Sequence, residues 1–239
     1  VGQIDGNLRR SITQSLPDKA PSFFFLDIQS SQLPDFKQRL AENPEVSKVE
    51  TAPMLRGLVT KINQRPAADV GGDHWVLRGD RGISYADGLP DQTKITAGQW
   101  WGAGYNGPPQ VSFAAEEAEE IGIGLGDQLT LNVLGRDIVA EITSLREVDF
   151  SPAGMGFVIL LNEAALKGAP HSHIATVYAD AAAEIPILDE LNQAFPNVTG
   201  IQIREAAALV TGVVSSIASA ASIGALATLI IGFLILIGS

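Results

Sequence analysis

Residues 23–29, Phe23-Phe24-Phe25-Leu26-Asp27-Ile28-Gln29, form a compact run of aromatic and aliphatic side chains opened by Pro21, and they read as a buried strand. Pro34 then sits at a helix start, and Phe36 and Leu40 among the polar Asp35, Lys37, Gln38 and Arg39 fit an amphipathic helix to Asn43. Residues 46–51 alternate loosely and continue after Pro53 into 54–62 as a longer strand. This is a strand, helix, strand unit. It returns near the other end of the chain. Residues 174–178 read as a strand, 187–195 as a helix with Ile187, Leu188, Leu191 and Phe195 on one side, and 198–204 as a strand. Setting 36–44 against 188–196 puts a helix ending at a proline, Pro44 or Pro196, at the same place in each. Two such halves are expected to pair into one sheet backed by two helices.

The residues between the halves have a different texture. Gly71, Gly72, Gly82, Gly88, Pro90, Gly98, Gly102, Gly104, Gly107, Pro108 and Pro109 punctuate short strand candidates, among them 75–77 and 83–85. A helix over 114–121 follows, then strands over 128–134 and 137–147, joined by a turn at Gly135-Arg136. Their alternation is clean: Leu129, Leu131 and Val133 in one, Ile138, Ala140 and Ile142 in the next. Residues 157–161 add one more apolar strand. The middle is expected to be a β-rich subdomain inserted into the sheet domain.

Both ends point to a membrane. From Ala206 to Ser239 there is no Asp, Glu, Lys or Arg, and 217–238 is almost wholly Ile, Leu, Ala, Gly and Phe. A helix crossing the hydrocarbon needs about 20 mostly apolar residues, so this run reads as a span. Gly212, Ser216, Ala220, Gly224, Thr228 and Gly232 recur every fourth residue and offer a small-residue packing face to a second helix. A strict spacing of four drifts ~40° per step, so about three of them share one contact at a time. At the other end Ile4, Leu8, Ile12 and Leu16 recur every four residues, a short amphipathic helix that ends at Pro17 and resembles a stalk. Val1–Leu16 lacks the apolar core of a signal peptide. With no initial Met and a stop inside the span, the chain reads as an excerpt. Residues 180–205 carry five acids and one Arg, which favours the outside face for the stretch before the span.

Composition narrows the function. A formal charge of -11 with 16 scattered Lys and Arg argues against nucleic acid, whose phosphates call for clustered cations. It also disfavours docking on anionic lipid through charge. The absence of cysteine excludes a disulfide scaffold and cysteine-rich zinc sites. Gly122, Gly124 and Gly126 lack the GxGxxG spacing and run from a helix into a strand, so they read as turn glycines. His171 and His173 share a side of an extended segment, but no third ligand stands at metal spacing. No GxSxG elbow exists. Glu116, Glu117, Glu119 and Glu120 read as a solvated helix face. Trp100 and Trp101 are adjacent in a Gly-rich stretch. Either one of them lies at an interface or groove, or the loop folds back to bury both. The sequon Asn197-Val198-Thr199 follows a helix within a compact unit and is discounted.

The order of motifs resembles the extracytoplasmic domain and following membrane helix from the second half of FtsX-like, MacB-type ABC transporter permeases, the branch with a duplicated permease and a separate ATPase subunit. The resemblance runs along the whole chain. It is carried by Leu16-Pro17 to Pro21 with 23–29; Leu55-Arg56-Gly57 to Ile62-Asn63; Ala97-Gly98 with Trp100; and Val111-Ser112 through Gly126-Asp127-Gln128-Leu129-Thr130. It continues through Thr143-Ser144-Leu145-Arg146-Glu147-Val148-Asp149-Phe150, and Ala165-Leu166 with Gly168 and Pro170. Phe150 stands where the family pattern has tryptophan. No single motif is diagnostic; the specificity lies in order and spacing.

The resemblance implies an α+β chain. A stalk helix spans 1–16, and a porter-like subdomain is made of two βαβ halves, 17–95 and 171–205. A β-rich, sabre-like insertion spans 96–170, and a stalk and transmembrane helix 206–239. It implies a non-catalytic subunit that couples ATP hydrolysis in another chain to extraction or export of a hydrophobic or lipid-like substrate by mechanotransmission. ATP and Mg would belong to that cytoplasmic ABC ATPase subunit, with no cofactor or metal in this chain. The other implied partners are the second permease half, membrane lipid, and a periplasmic hydrolase or substrate-carrying protein, with no nucleic acid. The implied location is the bacterial inner (cell) membrane with the domain in the periplasm or outside. The small-residue face above would serve helix packing, and Phe23, Phe24, Phe25, Trp100 and Trp101 would supply apolar contact with cargo or a second outer domain. The competing reading is a singly membrane-anchored extracytoplasmic binding protein or enzyme, or a regulator of cell-wall hydrolases.

Overall fold

The computed structural model describes residues 20–91, 93–150 and 155–204. The expected stalk over 1–16, the span, and the packing face from Gly212 to Gly232 lie outside the described residues. Among those described, no helix is long and apolar enough to cross a membrane. In chain order the elements are β1 (Phe23–Gln29), α1 (Leu33–Glu42), β2 (Val46–Ile62), β3 (Arg65–Pro66), α2 (Ala67–Gly71), a 3-10 turn at Trp75–Leu77, β4 (Arg81–Ala86) and β5 (Ile95–Gly98). Then come β6 (Gln110–Ala114), α3 (Ala115–Ile121), β7 (Gln128–Val133), β8 (Arg136–Arg146), β9 (Ile159–Asn162), α4 (Glu163–Leu166), β10 (Ser172–Ala179), a 3-10 turn at Ala181–Ala183, α5 (Glu184–Ala194) and β11 (Thr199–Gln202).

β11, β1, β10 and β2 lie side by side in that order, all antiparallel. Each helical crossover leaves a gap of one strand that the other half fills, which is the split βαβ arrangement. Strand alternation sends Phe23 and Phe25 toward the helices, and the next residue in that phase would be Asp27. A bulge between Phe25 and Ile28, with Asp27 at φ 63°, inserts one residue so that Ile28 takes the buried position and Asp27 stays outside. The core beneath is aromatic. Phe25 meets Phe36 of α1 edge-on at 5.3 Å, and Phe36 meets Phe195 at 5.8 Å, so β1 and the two helices share one chain of rings.

β2 does not end with that sheet. It pairs with β10 up to Met54, then with β4 from Leu55 and with β7 from Gly57. Strands β2, β4, β9, β6, β8 and β7 pair in turn and return to β2, a closed barrel of six strands among the described residues. Closure removes free strand edges; outside the ring β5 is added against β8 and the two-residue β3 against the end of β2. Leu55, Val59, Ile83, Val111, Phe113, Leu129, Leu131, Ile142, Ile159 and Leu161 belong to this second core. The sequence reading assigns 17–95 to the first half, yet Leu55, Val59, Ile62, Ala67, Val76, Leu77 and Ile83 bury their side chains here. The cause is β2 itself, one unbroken strand that passes from one core into the other.

Residues 75–77, expected as a strand, form a 3-10 turn instead. The His74 ring Nδ1 accepts from the Val76 N–H at 3.3 Å and starts the turn as a cap, which strand-type composition does not reveal.

Gly57 stands where β2 is flanked on both sides, opposite Arg81 and Val133. A Cβ there would come within 2.9 Å of Ile83 Cδ1, 3.2 Å of Val133 Cγ2 and 3.3 Å of the Asn132 carbonyl. Gly57→Val is expected to destabilise the fold by about 1–3 kcal/mol through overpacking. Gly88→Ala, whose added Cβ would meet nothing within 4 Å, is the control expected to leave the melting temperature nearly unchanged.

Candidate functional site

Where the sheet meets the barrel there is a cleft of about 390 Å³. β2 presents Lys48, Glu50 and Ala52 to it on one alternating face, and Tyr178 stands beside Lys48 in the register with β10. The barrel contributes Ser84 and Tyr85 from β4, Pro90 and Asp91 from the following loop, Arg146 from the end of β8, and Phe157 and Leu160. Ser84 donates from Oγ to the Pro53 carbonyl at 2.6 Å, joining β4 to β2 where β2 changes partners.

The sheet-side wall is ionic. Lys48 Nζ lies 2.7 Å from Glu50 Oε1 and 5.4 Å from the centre of the Tyr178 ring, an ammonium held by a carboxylate and an aromatic face. The hydrogen bond to Glu50 raises the Lys48 pKa most; burial raises that of Tyr178. The fully buried Thr176 donates from Oγ1 to Glu50 Oε2 at 3.4 Å. On the barrel side Arg146 is 4% exposed, and its Nη2 donates to the Phe157 carbonyl at 2.5 Å. Burial lowers its pKa to about 10, against which Glu117 pulls upward.

Glu117 corrects the solvated-face reading of the α3 glutamates. It is buried on the inner side of the helix, and burial raises its pKa. Glu120 instead meets His74, with Oε2 2.8 Å from Nε2. Helical geometry separates them: a run of glutamates on a seven-residue helix cannot keep to one face, and Ala118 and Ile121 choose which side faces the barrel.

The other residues singled out by sequence fall in three places. Phe23 and Phe25 are fully buried core and present nothing to cargo, while Phe24 is half-buried on the sheet face away from the helices, opposite Ile201 of β11. Trp100 and Trp101 stack with centroids 3.9 Å apart. Trp101 is buried and donates from its indole to the Ala86 carbonyl at 2.9 Å, and the half-buried Trp100 points toward the Asp87 carbonyl at 3.4 Å, so the loop folds back over the end of β4. His171 donates from Nδ1 to the Ala169 carbonyl (2.8 Å) and accepts at Nε2 from Tyr85 (3.0 Å); its ring is 5.0 Å from that of His173. Among the described residues no group of three or more His, Asp or Glu is placed to hold a metal ion. Asn197 of the sequon spends its amide on the Asp27 carbonyl and Gln32 Oε1, joining α5 to the β1 bulge.

The sequence reading misses Lys48, Glu50, Tyr178 and Arg146 as one site because three strands distant in sequence bring them together. One signal was available for Arg146: continuing the buried phase Ile138, Ala140, Ile142 through Ser144 lands on it.

No family model matches the chain. Over 203 residues it is 28% identical to the protein named uncharacterized ABC transporter permease YbbP of Escherichia coli (strain K12), covering 84% of this chain and 24% of that protein. The chain therefore spans about a quarter of the length of the curated relative it matches.

Burial, and then His171 beside it, hold His173 below the usual histidine range. As pH falls, the unfolded chain takes up this proton before the folded one. The stabilisation is complete above the unfolded value of about 6.5 and is lost as pH falls from there through the folded value. Melting followed by circular dichroism should show a drop in midpoint between about pH 7.5 and about pH 5.5, and the drop should be smaller in His173→Gln.

Proposed function

We propose that this chain is the extracytoplasmic part of an ABC transporter permease that passes mechanical work, drawn from ATP hydrolysis in a separate subunit, to the extraction or export of a hydrophobic or lipid-like substrate. The observation that carries the reading, beside the likeness to YbbP, is the corner where the described chain begins and ends. The Ile203 N–H donates to the Ser22 carbonyl at 3.0 Å and the Ser22 N–H to Val177 at 2.8 Å. The buried Ser22 also donates from Oγ to the Ala179 carbonyl at 2.8 Å, and Arg204 pairs with Glu184 at 3.2 Å. The described chain thus begins and ends on neighbouring strands, so a displacement at either end reaches β1, β10 and β11 at once. From that corner β2, with its 17 residues at ~3.3 Å each, offers a path of up to ~55 Å into the barrel.

In this reading the two flanking segments are stalks rooted in the inner membrane, with the domain outside it. The chain carries no chemistry of its own. ATP and Mg sit in a cytoplasmic ABC ATPase. The partners are that ATPase, the other permease half and membrane lipid, together with a periplasmic hydrolase or substrate-carrying protein. The stripe from Gly212 to Gly232 serves helix packing.

The test compares transport with ATP hydrolysis in the permease reconstituted with its ATPase. Gly224→Leu is expected to lower transport several-fold while ATP binding by the isolated ATPase is unchanged. Ser22→Ala combined with Arg204→Ala removes the side-chain ties of the corner and should leave hydrolysis running while transport falls. Undiminished transport in both variants would sink the mechanical reading, and transport that needs no ATPase would sink the permease reading.

A further inference from the structure

The junction cleft has a composition that the mechanical reading does not use. Arg146, nine-tenths and more buried, lines it with a guanidinium that is short of partners. A guanidinium has five N–H donors. Here Nη2 reaches the Phe157 carbonyl, Nε has no partner, and no carboxylate among the described residues forms an ion pair with it. Glu117 helps only through its field. A buried cation in this state is short of counter-charge, which an anion in the cleft would supply.

The opposite wall calls for the other sign. Glu50 stands there with the face of Tyr178, the barrel's loop adds the field of Asp91, and Lys48 already shows what they hold: its ammonium lies 2.7 Å from Glu50 and 5.4 Å from the ring centre. A purely anionic ligand would meet the carboxylates, and a purely cationic one would leave Arg146 unanswered. We propose that the cleft binds a zwitterion, an ammonium joined by a short chain to a phosphate or carboxylate, with the anion on Arg146 and the ammonium between Glu50, Asp91 and Tyr178. Lys48 is then an internal competitor for the ammonium corner. Because sheet and barrel each supply part of the site, the bound ligand bridges the two bodies. The inference goes beyond the transport reading and stands apart from it, since binding needs no ATPase.

The experiment is calorimetric titration of the whole chain in nonionic micelles with O-phosphoethanolamine, and separately with ethylamine and with inorganic phosphate. The zwitterion should bind saturably and at least about tenfold more tightly than either half, a gap of about 1.4 kcal/mol. Asp91→Asn on the loop should weaken it about tenfold, and Lys48→Ala should tighten it by removing the competitor. Both substitutions are at the cleft rim, so neither depends on whether an Arg146 variant folds. Equal binding of the halves, no saturable binding of the zwitterion, or indifference to both substitutions would overturn the proposal. Phosphatidylethanolamine added to the micelles separates the sources: competition with the free headgroup assigns a lipid ligand, and lack of competition a soluble one.

Discussion

β2 is a constraint that both cores must satisfy at once. Over its first half it is a sheet strand paired with β10, with Val49 packed against the aromatic core under α1 and α5; over its second half it is a barrel stave between β4 and β7. Each residue therefore has its side-chain direction set by two different interiors, and the strand cannot slip by one residue without turning both inside out. Pro53 sits at the change of partners. It lacks an N–H, and its carbonyl is taken by Ser84, so the passage from one body to the other is pinned by a side chain where the ladder is weakest. Gly57 then lets β4 and β7 close in from either side.

This shared strand runs through both bodies, with a cleft between them. The interiors differ in kind: linked phenyl rings beneath the sheet, close-packed aliphatics in the barrel. The cleft is neither. It gathers Lys48, Glu50, Asp91 and Arg146 where the two bodies meet, and buried or half-buried charge of this sort adds little to stability unless it is matched. Its presence at a junction, in a chain of formal charge -11 whose charges are otherwise mostly solvated, sets the cleft apart from the cores that surround it.

Much of the architecture was legible because it rests on local periods. The aromatic run at 23–29, the amphipathic helices and the paired alternation of 128–133 with 136–146 each report their own burial through spacing alone. What escaped depended on partners elsewhere. Asp27 occupies an inward phase that only a bulge corrects, and Trp75 sits in a run of strand type that a His74 cap coils into a turn. Glu117 looks like its exposed neighbours until the barrel is placed beneath it. Of the cleft, the only trace in sequence was the arginine at the end of an otherwise apolar phase.

By itself the sequence determined that there are two βαβ units separated by a β-rich stretch, because apolar periodicity is a property of neighbours along the chain. Tertiary structure alone decided that the stretch closes into a barrel on the same strand that completes the sheet, and that Lys48, Glu50, Tyr178 and Arg146 share a cleft. Closure and juxtaposition depend on pairing between residues far apart in the chain, Lys48 with Tyr178 among them, and no local pattern encodes which distant strand will supply the missing hydrogen bonds.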